Sequence, residues 1–105
     1  MMTVIDLSGK GEVAEREFRA EVLFERNATK IRRIDLAEGA RIPPCQMQED
    51  VVFVLLKGRI LFHVEAEQSL VAAPAAVYVP GGAITRSMEA HEASTVLAVL
   101  CRKEE

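Results

Sequence analysis

Cys45 and Met47 place two sulfurs one residue apart, directly after Pro43-Pro44, and this pair is the nearest the chain comes to a ligating or reactive cluster. A divalent metal centre needs about three or four convergent nitrogen, oxygen or thiolate ligands. Two soft sulfurs suit Cu(I) at most. The set therefore reads as polarizable packing around an apolar cavity. Cys45 as a nucleophile would need a base or cation to lower its thiol pKa. Arg41 and Glu49 flank it, but no histidine lies near in sequence, so a buried, inert thiol is expected. His63 is expected on an outer face and His91 in a solvated loop, Glu89-Ala90-His91-Glu92. Tyr78, the one tyrosine, has a hydroxyl that can orient a ligand or serve as an ordinary strand aromatic. Glu38, Glu49 and Asp50 flank a rim as solvated charges rather than as an acid–base pair. No catalytic residue, metal or cofactor is expected from these side chains.

The elements that must position them are strands. From Glu21 onward, short apolar segments recur between turn signals, the all-β pattern. Val22 to Glu25 and Lys30 to Leu36 flank a turn at Asn27-Ala28. Arg32 and Arg33 sit side by side, and a bulge there is expected to break the alternation. Pro43-Pro44 fixes an extended approach to Cys45. Ser69 to Ala72 and Ala75 to Val79 are strands bent at Pro74, Ile84 to Met88 follows Pro80-Gly81-Gly82, and Ser94 to Cys101 closes the barrel. Residues 1–20 form an arm or loop, 21–101 the barrel, and 102–105 a charged, frayed tail.

Lys57-Gly58 reads as a two-residue turn joining Val51–Leu56 and Arg59–Glu65 in a hairpin. Pairing outward from it sets Leu56 opposite Arg59 and Phe53 opposite Phe62. Directly paired residues share a face. One face then holds Val51, Phe53, Leu55, Ile60, Phe62 and Val64 and must be core. The other holds Val52, Val54, Leu56 and Leu61 beside His63 and Arg59, too apolar for open water. That second face is expected to bury itself in a homodimer contact through Val52, Val54, Leu56, Leu61 and His63.

The glycine and proline punctuation resembles the cupin family. In its first motif two glycines bracket a histidine-x-histidine pair and a glutamate. Gly39 and Gly58 match the glycines, while Cys45 and Met47 stand at the histidines and Val51 at the glutamate. In the second motif Pro80 and Gly82 match, Pro74 replaces a glycine, Thr85 stands at the histidine and Glu89 at an asparagine. The resemblance covers Lys30 to Cys101. It implies an all-β, antiparallel double-sheet jelly-roll barrel, commonly dimeric, with a pocket at one mouth.

The totals bound the function. One domain of 105 residues, half of them apolar, can build a core without staples. A net charge of −3 and the lack of a basic run argue against nucleic acid or a membrane surface. No apolar run approaches membrane-span length. Two cysteines without a signal-peptide pattern suggest free thiols and a cytoplasmic protein. The expected function is metal-independent binding of a small apolar or mixed-polarity organic molecule, in a pocket of Cys45, Met47, Val51, Phe53, Tyr78 and Thr85. Two alternatives stand beside it. One is a small isomerase, dioxygenase or decarboxylase with non-standard ligands; the other is a filled barrel whose role lies in its partner surface.

Overall fold

The computed structural model describes residues 1–9, 11–82 and 85–102. Nine strands form in chain order: β1 (Phe18–Arg26), β2 (Thr29–Leu36), β3 (Arg41–Gln46), β4 (Asp50–Lys57), β5 (Arg59–Val64), β6 (Glu67–Ala72), β7 (Ala75–Val79), β8 (Thr85–Ala90) and β9 (Ser94–Cys101). They build two antiparallel sheets, one ordered β1-β2-β9-β4-β7 and the other β3-β8-β5-β6. Ile84, expected to open β8, and the tail beyond Arg102 lie outside the described residues.

The strands follow from their sequences. β4 and β9 are runs of Val, Leu, Ala and Phe, and each is buried at every second residue. Arg26 pairs with Thr29 across the Asn27-Ala28 turn, with Asn27 in the left-handed region (φ 55°). Facing side chains from both sheets make the core: Val51, Phe53, Leu55, Val96 and Leu100 on one side, Ile60, Phe62, Met88 and Ala90 on the other. Burial stabilises by ~1.5–3 kcal/mol for each large side chain of this kind. Phe53 and Phe62 meet across the gap, ring centroids 5.5 Å apart and tilted by 45°.

Two expectations about pairing need correction. The segments on either side of Gly58 do not form a hairpin. β4 pairs with β7 and β9, and β5 pairs with β6 and β8. Gly58, at φ 92°, instead carries the chain from one sheet to the other. The assignment of Val51, Phe53, Leu55, Ile60 and Phe62 to the interior still holds, because both sheets turn that parity inward.

The second correction concerns Arg32-Arg33. β2 pairs with β9 in unbroken register, and the irregularity falls on its other neighbour, between Val22 and Phe24 of β1. On a regular strand adjacent side chains take opposite faces. Arg33 therefore lies on the outer face, where its Nε donates to Asp35 at 3.1 Å, while Arg32 turns inward opposite Ala98. Arg33 also donates to the carbonyls of Leu7 and Gly9, 3.1 and 2.6 Å away, and so ties the N-terminal segment across the sheet.

Candidate functional site

A cavity of about 100 Å³ opens between the sheets at the end of the sandwich where β3, β8 and the start of β4 meet. That is several times the ~10–15 Å³ that one ordered water requires. Its wall is mostly apolar, with Met47, Val51, Phe53, Phe62, Val79 and Met88 among its side chains.

Of the residues expected to form a pocket, Cys45, Met47, Val51 and Phe53 line this cavity. Cys45 is exposed at its mouth, not buried as expected, because Pro43-Pro44 interrupts the β3–β8 pairing just before it. Tyr78 and Thr85 do not line it. Tyr78 is 62% exposed on the outer face of β7, since it neighbours the buried Val79 on an alternating strand. Thr85 is exposed and pairs with Gln46, and its hydroxyl lies 3.4 Å from Gln46 Nε2. The inward residue is the next one, Arg86.

Arg86 is the residue that the motif comparison misses. It is 5% exposed, between Cys45 of β3 and Val64 of β5, and it lines the cavity. Nε, Nη1 and Nη2 are closed to solvent, and none has a hydrogen-bond partner among the described residues. Desolvating an ion without a partner costs several kcal/mol, on the order of the penalty for burying half of an ion pair. Arg32 reaches the same cavity from the opposite sheet. Alternation back from the buried Met88 and Ala90 was a signal that could have placed Arg86 inside.

The two histidines differ in their relation to this cluster of charge. His63 pairs with Gln68 and Ser87 on the outward parity of β5, yet it is among the residues that line the cavity. His91 is exposed in the turn after β8, at the far end of that strand from Arg86, with its amide bonded to the carbonyl of Arg59 at 2.9 Å. Among the described residues no three His, Cys, Asp or Glu side chains cluster as a metal would require. Cys45, Met47 and Val51 do not make a donor set for a divalent ion, and a fixed guanidinium in the same cavity repels a cation. The residues present do not fit a metal.

The surface expected to pair two copies is also divided. Val52, Val54 and Leu56 belong to β4 and Leu61 and His63 to β5, so they fall on the outer surfaces of different sheets. The five do not form one patch. The outer face of the five-stranded sheet nevertheless carries an apolar row across all its strands: Tyr78, Val52, Val99, Ile31 and Phe24 are successive ladder partners.

The two-sheet topology is shared with solved structures. A cupin superfamily protein from Desulfitobacterium hafniense superposes with a TM-score of 0.80 at 13% identity, covering 88% of this chain and 84% of the other. The fold is that of the cupins. A conserved Streptococcus pyogenes protein of unknown function gives 0.79 at 21% identity, over 99% and 98% of the two chains. A Thermotoga maritima protein described as a predicted oxalate decarboxylase gives 0.79 at 17% identity, over 96% and 100%. No protein-family model matches the chain, and no curated protein matches it in sequence. At these identities the shared property is the cupin barrel itself, which hosts many chemistries.

Proposed function

We propose that this cupin-like barrel binds a small organic molecule, without a metal, in the cavity between its sheets. The observation that carries the reading is the cavity of about 100 Å³ at the mouth, walled by apolar side chains and reached by a few polar ones. An enzyme of the usual metal-dependent kind has no support in the donor set described above.

Screening a small fragment library by ligand-observed NMR tests the reading. Wild-type protein should give hits, and Ala98→Leu should lose them, because Ala98 lies in the cavity wall opposite Phe53 and a larger side chain fills the space. Hits that survive Ala98→Leu, or no hits at all, would count against cavity binding.

Two copies of the chain are proposed to pair through the outer face of the five-stranded sheet alone. The apolar row from Tyr78 to Phe24 spans all five strands, more than an isolated surface side chain explains. Val54→Asp, next to that row, is expected to halve the mass measured by light scattering. A monomeric wild-type protein, or a dimer indifferent to Val54→Asp, refutes this pairing.

A further inference from the structure

Arg86 needs a partner that the described residues do not supply. Arginine holds its proton at any ordinary pH, so burial cannot be relieved by neutralisation as it would be for lysine or a carboxylate. A desolvated cation is stable only beside an anion. Among the described residues no Asp or Glu lines the cavity. The ion pairs among the described residues use Lys30, Arg33, Arg41 and Arg59, and neither Arg86 nor Arg32. The neighbours of Arg86 in the ladder, Cys45 and Val64, carry no fixed negative charge.

We infer that the cavity takes a small organic monocarboxylate, with its carboxylate on the Arg86 guanidinium and its hydrocarbon part against Met47, Phe53, Phe62 and Val79. This rests on the reading that the cavity holds a small molecule, and it names the class. The planar fork of the guanidinium matches the two oxygens of a carboxylate. One buried cation balances one negative charge. Arg32 is only half-buried and also borders a second depression, which it shares with Glu49, so it serves the rim and not the depth of the site. Apart from the two arginines, Cys45, His63 and Ser87, the wall is apolar, so a phosphate dianion would leave charge and oxygens unmatched, whereas a short aliphatic or aromatic tail would be buried with gain.

Calorimetry on the full chain, with acid and amide pairs of equal shape, tests the proposal: hexanoate against hexanamide, benzoate against benzamide, and inorganic phosphate as a third probe. Wild-type protein should bind each acid at least ten-fold tighter than its amide and tighter than phosphate. Arg86→Met should erase the preference of acid over amide. Its thermal midpoint without ligand should equal or exceed that of wild type, because an unpaired buried charge has been removed. If Arg86→Met fails to fold, Arg86→Lys decides: the preference should weaken, and an unchanged preference overturns the proposal. Acid and amide binding equally well to wild type overturns the carboxylate assignment but leaves small-molecule binding standing. Phosphate binding most tightly overturns it too. If no probe binds, acid or neutral, the small-molecule reading fails and this proposal fails with it.

Discussion

Asp35→Ala should lower the free energy of unfolding by about 3–5 kcal/mol, the cost of breaking a buried ion pair from one side. Asp35 is 1% exposed, although it sits on the outward parity of β2. Its carboxylate accepts from Arg33 Nε at 3.1 and 3.3 Å and from Thr95 Oγ1 at 2.8 Å. Gly11 lies against it so closely that an added Cβ would collide with the carboxylate. Both charged side chains are well buried, at 13% and 2% exposure, so solvent screening does not remove the effect as it does for surface pairs. Without the carboxylate, Arg33 is left a partly buried cation, and the arm that it holds through Leu7 and Gly9 loses its anchor. Urea unfolding should show a lower midpoint at unchanged slope. Limited proteolysis should at the same time cut within residues 1–17. A loss below about 1 kcal/mol, the scale of an exposed pair, would mean that the network contributes no more than surface pairs do.

That network shows what the sequence could and could not disclose. Alternation is a property of a single strand, so the inward set from Val51 to Phe62 was legible without knowing any partner. Pairing is a property of two strands, and the same alternation fits a hairpin or a crossing between sheets. Lys57-Gly58 supplied a positive φ for either, and the hairpin reading chose wrongly. Gly39 and Gly58 take positive φ at the turns where the resemblance placed its glycines, so the fold could be read from the punctuation without any ligand residue.

The site was read less well, for two local reasons. Motif spacing placed Thr85 inside, but after Gly81-Gly82 the parity of β8 is set by the buried Met88 and Ala90, and that brings in Arg86. Arg86 falls on no motif position, and a buried arginine is rare, which is what makes its burial informative. A bulge is the expectation at Arg32-Arg33 because two adjacent charges interrupt the alternation. The regular strand sends one arginine to Asp35 and the other to the cavity. Asp35 itself gives no sequence signal, since its burial depends on an arm more than twenty residues away.

Gly58→Ala is expected to cost about 2–5 kcal/mol, the sum of a left-handed backbone penalty of ~1–2 kcal/mol and an overpacking penalty of ~1–3 kcal/mol. The crossing from β4 to β5 is the reason. At φ 92°, a Cβ on residue 58 would collide with the Ser94 hydroxyl and the Ala93 carbonyl, and would lie 2.7 Å from Ser94 Cα. Backbone on that side cannot give way cheaply. Ser94 Oγ accepts from the Arg59 amide at 3.1 Å and donates to the Glu92 carbonyl at 2.8 Å, and the Gly58 carbonyl accepts from the Ala73 amide at 3.0 Å. The corner thus joins both sheets to the turn before β9. Gly82→Ala separates the two penalties, because Gly82 also has a left-handed φ, 109°, but open space where its Cβ would stand. Chemical unfolding should rank the variants wild type, Gly82→Ala, Gly58→Ala in falling stability, with Gly82→Ala losing only the backbone part. Ser94→Gly in the Gly58→Ala background removes the Oγ collision and should recover some of the loss beyond what Ser94→Gly costs alone, a coupling that a double-mutant cycle measures. Equal losses at Gly58 and Gly82 would assign the whole effect to backbone conformation and leave the close approach of Ser94 without energetic consequence.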